Sequence, residues 1–365
     1  MQENINSNKI NEQKLNDFML RAVGDIASTL SAVLVLIGYR LGLYKAMALS
    51  GKPLTSEELA KKTNTNGRLI KEWLANQVAS GYIIYNASNA EYSLPPEQAM
   101  ALADENSSVY ILGAYQAIRS YFKDEDKFVN MFKTGKGMRW EEHHHDLFEG
   151  TALFYKPNYI GNLVSLWIPS LEGVEQKLKQ GAKVADIGCG YGVSTIILAN
   201  AYPNSKFYGF DNHGPSIEQA KNQVRAEEEK AGQRLGNIVF NPVSADDESI
   251  GTDYDLITFF DCLHDMDDPV GAMKYARRSL KQDGTCMIIE PMAHDKLEEN
   301  FNLVGRAFYA ASTLVCVPNS LAGNGPALGA QAGEKRIKAI VQAAGFTKFR
   351  RATQTPFNII YEARP

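Results

Sequence analysis

A chain of 365 residues with 44% apolar and 22% charged residues has the make-up of an ordinary globular protein long enough for two domains, which excludes the disordered and fibrous classes. A net charge of −4 gives no global attraction to nucleic acid or to an anionic membrane surface. The four cysteines, Cys189, Cys262, Cys286 and Cys316, are widely spaced with no CxxC pair, so they read as free thiols of a reducing, cytoplasmic compartment.

The polar start M-Q-E-N-I-N-S-N lacks the charged-then-apolar pattern of a secretion signal. Residues 12 to 48 read as one or two helices. Their most apolar stretch, Ile26 to Tyr39, is about 14 residues, too short to span a bilayer, and is expected to be a buried helix. Leu30, Val33, Leu34, Ile37, Leu41 and Leu43 cover more than one face, which calls for burial against either the rest of the chain or a second subunit. A homodimer is the favoured expectation, with no membrane partner.

Thr55 and Glu58 have capping-box spacing and start a short helix. Leu69, Ile70, Trp73, Leu74 and Val78 mark a second helix ending at Gly81, and Tyr82 to Tyr85 with Glu91 to Leu94 form a two-stranded wing. This is the pattern of a winged helix-turn-helix, a module that can lay its second helix in a DNA groove. From Lys52 to Glu91 there are five basic and four acidic residues, and the second helix offers only Arg68 and Lys71 beside Glu72. A phosphate-binding face needs a denser basic stripe, so the module reads as structural and nucleic acid is not expected as a partner.

Residues 97 to 180 read as mostly helical and link the two halves. Within them lies W-E-E-H-H-H-D-L-F-E-G-T-A-L-F-Y-K-P-N-Y. Three consecutive histidines cannot all face one metal from a helix, where only i, i+3 or i, i+4 positions share a face, and no metal is expected. The run is either a solvated surface or, with His144 or His145 beside Trp140, Tyr155 and Tyr159, the roof of an active site whose aromatic faces suit a cation.

K-V-A-D-I-G-C-G-Y-G, Lys183 to Gly192, is a strand, a glycine turn and the start of a helix. Glycine lets the backbone approach a ligand, and the helix N-terminus offers unpaired N–H groups. A dinucleotide fingerprint would place its third glycine at Val193. Here the glycines are Gly188, Gly190 and Gly192, with Asp186 two residues ahead. D-I-G-C-G-Y-G resembles motif I of the class I S-adenosylmethionine (SAM)-dependent methyltransferases. The resemblance implies a Rossmann-like α/β sheet of seven strands whose last hairpin is antiparallel, with SAM as cofactor.

The second strand, K-F-Y-G-F-D, ends at Asp211, 25 positions after Asp186, where a carboxylate can accept ribose hydroxyls, with Asn212 next to it. A third strand, N-I-V-F-N-P-V, leads to Asp246 and Asp247, which match the family's adenine contact. The fourth, Y-D-L-I-T-F-F, runs into D-C-L-H-D-M, Asp261 to Met266, and Asp261 and Cys262 are expected beside the cofactor. This segment is similar to the L-H-D-W of plant-type small-molecule O-methyltransferases, whose histidine takes the acceptor's proton. The resemblance gives that role to His264, although Met266 stands where the family has tryptophan. The alternative is that His264 and Asp265 cap the next helix.

L-K-Q-D-G-T-C-M-I-I-E-P is a turn into a fifth strand, residues 295 to 317 form a helical insertion, and S-L-A-G-N-G-P-A-L-G-A-Q-A-G reads as a long flexible loop. A helix from Glu334 to Ala344 and a closing hairpin complete the chain. The expected domains are a helical dimerisation and winged-helix module over 1–96, a helical cap segment over 97–180 and a SAM-binding domain over 181–365. The function expected is methylation of a small molecule, most simply at oxygen, with His264 or His145 as the base. A SAM-responsive winged-helix regulator without catalysis is the alternative.

Overall fold

The computed structural model describes residues 10–365 apart from Asp246 and the Glu248 side chain. The chain folds as two compact units, Met1–Tyr115 and Gln116–Pro365, and the division falls inside one helix, Leu112–Lys123.

The first unit contains α1 (Glu12–Arg40), α2 (Leu43–Ala48), α3 (Ser56–Thr63), α4 (Gly67–Ala79), the wing strands β1 (Ile84–Asn86) and β2 (Glu91–Ser93), and α5 (Pro96–Leu102). The capping box forms as its spacing requires: Thr55 Oγ1 accepts the Glu58 N–H, and Glu58 accepts the Thr55 N–H. Leu43, Tyr44, Leu59, Ile70, Trp73 and Leu74 make the core. Tyr44 donates to Gln77 at 2.6 Å inside it.

The N-terminal helix is not buried within the single chain. The stretch Ile26 to Tyr39 is the second half of the 29-residue α1, long and apolar enough to cross a membrane by length and composition, yet Phe18, Leu20, Val23, Leu30 and Val33 are all more than half exposed. Only Val35 and Gly38 of this helix are buried, because they face the winged-helix core.

The second unit opens with helices: α6 (Leu112–Lys123), α7 (Glu125–Thr134), α8 (Asp146–Asn162), a π-turn at Leu163–Trp167, α9 (Ile168–Ser170) and α10 (Val174–Gln180). The α/β part follows as β3 (Lys183–Ile187), α11 (Val193–Ala201), β4 (Lys206–Asp211), α12 (Gly214–Ala231), β5 (Ile238–Pro242), β6 (Tyr254–Phe260), α13 (Pro269–Ser279) and β7 (Leu280–Pro291). The insertion is α14 (Leu303–Ala311), a second π-turn at Ser312–Cys316, and α15 (Val317–Ala322). Then come α16 (Gly333–Ala343), β8 (Lys348–Gln354) and β9 (Asn358–Arg364).

The seven strands lie in the order β5-β4-β3-β6-β7-β9-β8, all parallel up to β7 and with β9 antiparallel to both its neighbours. Alternate residues feed opposite faces. Val184, Leu256, Met287 and Ile360 pack under α8, α10 and α11, whereas Ala185, Ile257, Cys286 and Tyr361 pack under α13 and α16. Strand order reverses between β3 and β6, and ligands of open α/β sheets bind beyond the C-terminal strand ends at such a switch point. The expected turn before the fifth strand is absorbed into β7, which pairs from Leu280 onward through a bulge opposite Tyr254 and Leu256.

The stretch Ser320–Gly333 is corrected. Its first three residues end α15 and the rest is tied down rather than loose: the Ala330 N–H donates to Ser312 Oγ at 3.0 Å and the Gly329 N–H to the His264 carbonyl at 3.2 Å. Leu328, Ala330 and Ala332 are buried. Small residues let this backbone lie against Ser312 and the loop of His264 instead of looping into solvent.

Candidate active site

The glycine loop after β3 is built around positive φ angles, 70° at Gly188, 52° at Gly190 and 73° at Gly192, which side-chain-bearing residues rarely adopt. A Cβ on Gly188 would meet Cys262 Sγ at 2.8 Å. One on Gly190 would meet no atom of the described residues within 4 Å, so the middle of the loop faces open space that a bound nucleoside cofactor fits. Asp211, at the end of β4, reaches across: Oδ2 accepts the Gly190 N–H at 2.8 Å and Oδ1 the His213 N–H at 2.8 Å. Each oxygen keeps a second lone pair for a ligand. Burial pushes this carboxyl above its ordinary value despite the two amides.

Asp186 points the other way. It is fully buried, with Oδ2 accepting from Ser194 (2.8 Å) and Thr195 (2.6 Å) and Oδ1 from Thr258 (3.0 Å). It therefore braces the loop against α11 and β6. Burial raises its pKa to about 6, and the three hydroxyls pull in the opposite direction. Asn212 is exposed, and so is Asp247, whose Oδ1 accepts the Ser249 N–H at 2.7 Å. Asp246 lies outside the described residues.

At the end of β6, Asp261 has a φ of 50°, a strained value for aspartate. Asn358, at the start of β9, donates to Asp261 Oδ1 at 2.8 Å and accepts from Asn158 of α8. Burial and the neighbouring Glu290 push Asp261 well above the usual carboxylate range. Cys262 Sγ lies 3.3 Å from the Ile187 carbonyl, under the glycine loop.

His264 is buried at 2% exposure, and its Nδ1 lies 2.6 Å from Glu290 Oε2 at the end of β7. Its Nε2 lies 3.3 Å from Cys316 Sγ. Burial by itself favours the neutral ring, but the Glu290 carboxylate, with Cys316, outweighs it and holds the imidazole well above the ordinary histidine value. The loop carrying His264 is clamped by α15, where Asn319 donates to the Asp265 carbonyl (3.0 Å) and Ser320 to that of Met266 (2.8 Å). The His264 side chain is thus committed to Glu290, and the helix that follows is capped by Asp268, which accepts the Gly271 N–H at 2.8 Å. Glu290 escaped the sequence reading. Its signal was a single acid ending the apolar run C-M-I-I-E-P, since a buried carboxylate in a strand needs a partner.

The cap residues divide. Tyr155 stacks on Tyr159 at 5.8 Å, Tyr159 packs edge-on to Phe260 at 5.2 Å, and the Tyr159 hydroxyl lies alongside Asp261. Tyr155 lies near Asp261, Cys316 and Glu290, and its burial holds the phenol well above its ordinary value. Trp140 joins the site through Phe148, at 5.1 Å, whose ring rests 4.7 Å from that of His213.

The histidine run splits up. His143 is buried against Phe128 and Trp140, and burial takes its pKa down to about 4. The rings of His144 and His145 lie 4.1 Å apart, tilted at 54°, and His145 is exposed. Ligand atoms of His144, His145 and Asp146 lie within 4.8 Å of one another. However, Lys123 at 2.8 Å and Arg119 at 3.4 Å already neutralise Asp146 Oδ2, which disfavours a metal cation there.

Comparison with known proteins agrees with this geometry. Residues 178–345 match a family model described as a methyltransferase domain, and residues 29–104 match one described as an Rv2258c-like winged HTH domain. Among solved structures, an O-methyltransferase family protein from Burkholderia thailandensis is 14% identical with a TM-score of 0.68 over 95% of this chain and 97% of its own. Human N-acetylserotonin methyltransferase in complex with SAM is 15% identical with a TM-score of 0.66 over 99% of both chains. Mitomycin 7-O-methyltransferase is 17% identical with a TM-score of 0.66 over 97% of this chain and 100% of its own. A curated relative, a tRNA (guanine-N(7)-)-methyltransferase of Botryotinia fuckeliana, is 41% identical over only 51 residues, 14% of this chain and 18% of that protein. The chain has the class I SAM-dependent methyltransferase fold behind an N-terminal winged helix-turn-helix domain.

Proposed function

We propose that this protein is a SAM-dependent methyltransferase of small molecules that methylates a hydroxyl, with His264 as the general base. The observation that carries this reading is the buried His264–Glu290 pair at 2.6 Å, set at the strand ends next to the glycine loop. Bound in the cradle of Gly188, Gly190 and Asp211, SAM supplies an electrophilic methyl carbon, and the fold relatives solved with SAM or its product support that choice of cofactor. Glu290 fixes the imidazole through Nδ1, so that Nε2, which rests against Cys316 Sγ, is the nitrogen that takes an acceptor proton. Tyr155, Tyr159, Trp140 and Phe148 orient the acceptor and exclude water, which in-line displacement chiefly requires.

The experiment is an assay of S-adenosylhomocysteine release across panels of phenols, carboxylic acids and amines. Turnover confined to hydroxyl acceptors supports the reading. Turnover only of carboxylates would remove the need for a base. Specific retention of duplex DNA with no turnover would favour the regulator instead. Against that alternative, Arg68 on α4 is spent on Glu72 at 2.5 Å, which leaves Lys71 as the other cation of that helix.

The exposed apolar residues of α1 are covered by a second copy of the chain, in a homodimer. Arg21 and Asp25 lie within the helix, and a charge at bilayer depth is costly, so a protein surface is the better cover than lipid.

A further inference from the structure

Imidazole has two nitrogens, and in this site both are engaged. Nδ1 of His264 is held by Glu290 at 2.6 Å and Nε2 by Cys316 Sγ at 3.3 Å. No position is left on the ring for an acceptor hydroxyl. If His264 is the base, as proposed above, something must give way, and the glutamate cannot do so cheaply because it would be left as a buried charge without its partner. A thiol is a weak hydrogen-bonding group that can donate to a bare nitrogen or accept from a protonated one, so it yields at small cost.

The backbone under Cys316 suits such a shift. It is the last residue of the π-turn Ser312–Cys316, which joins α14 to α15, and π-turns are locally strained and recur at functional sites. Around the sulfur lies an apolar cluster containing Leu147, Phe308 and Val315, with Tyr121, Trp140 and Phe148 partly buried against it. An acceptor with a flat apolar body would occupy this side of the site and bring its hydroxyl to the place the sulfur holds.

We infer that Cys316 is a positioning residue for methyl transfer: its sulfur holds Nε2 of His264 in the resting site, and the acceptor hydroxyl must displace it, so thiol and acceptor compete for one hydrogen-bonding position. The groups that face the ring are Glu290 from β7, Cys316 from the π-turn, and Asp261 and Asp265 from its own loop.

The test uses 2-naphthol, a flat phenol, and measures its binding by calorimetry in the presence of S-adenosylhomocysteine. Cys316→Ala should tighten binding about two- to tenfold, the worth of one modest hydrogen bond. In a His264→Ala background the same change should have no effect. Tightening in both backgrounds would mean that the space freed by the smaller side chain is all that matters, and weakening in both would mean a packing role; either overturns the proposal. A second readout needs no ligand: the 15N resonance of His264 Nε2 should move in Cys316→Ala while Nδ1 stays. If 2-naphthol binds none of these proteins, that spectrum decides, and an unmoved Nε2 resonance overturns the proposal. Loss of base function is read separately: undiminished turnover in His264→Ala would sink the base reading while the binding cycle still reports on Cys316.

Discussion

Nδ1 of His264 and Oε2 of Glu290 lie 2.6 Å apart, and both side chains are almost wholly removed from solvent. Twenty-six residues separate them in sequence, and they meet because β6 and β7 are parallel neighbours that end at the same edge. If this pair performs the proton transfer, His264→Ala should lower turnover by about a hundredfold or more while SAM affinity is kept, the usual size of a general-base contribution. His145→Ala should be silent, since that ring is exposed and lies against His144. Steady-state rates with a phenol acceptor check both, and the reverse pattern would move the base to the cap segment.

The Glu290 carboxylate outweighs burial and holds the His264 ring above the ordinary histidine value of about 6.5. The ring must be neutral to accept a proton, so kcat/KM should rise with pH through a midpoint above that value. Glu290→Gln removes the charge that favours imidazolium and leaves burial, so the midpoint should fall to lower pH. A pH profile with the same acid limb in both proteins would contradict the pairing.

Calorimetry with S-adenosylhomocysteine tests the cradle. Gly190→Val puts a side chain where no atom of the described residues lies within 4 Å of its Cβ and adds strain at a positive φ, so binding should fall by at least about tenfold. Asp211→Ala removes the carboxylate that ties the loop to β4 and should weaken binding similarly. Unchanged affinity in both would sink the site.

Asp186 should govern stability more than binding. Its carboxyl is raised from 3.8 to about 6 by burial, so between these values the folded protein keeps a proton that the unfolded chain has lost. Stability from this residue therefore falls as pH rises from about 4 to 6 and is level above that. Asp186→Asn should flatten that slope in thermal melts. Asp186→Ala should cost roughly 2–4 kcal/mol, because Ser194, Thr195 and Thr258 lose their acceptor.

For α1, Leu30→Glu with Val33→Glu places charges on residues that are 66% and 58% exposed in the single chain. A dimer held there should become a monomer in sedimentation, with its winged-helix core intact. A full-length protein that is already a monomer would contradict the proposal.

Much of this protein can be read from local spacing. The capping box at Thr55 and Glu58 and the glycines at 188, 190 and 192 act over a few residues, and a turn or a cap needs no distant partner, while the aspartate closing β4 and the histidine after β6 can be placed by their position at a strand end. What only the tertiary structure decided is which distant groups meet and which way a side chain turns. Asp186 turns inward to three hydroxyls, two from α11 and one from β6. Glu290 and Cys316 reach His264 from elements 26 and 52 residues away. The small-residue stretch before α16 looks loose in one dimension because its anchors, Ser312 and the His264 carbonyl, lie elsewhere in the chain. The apolar α1 looked buried for the converse reason: hydrophobicity demands a cover, and one chain supplies it to only one face.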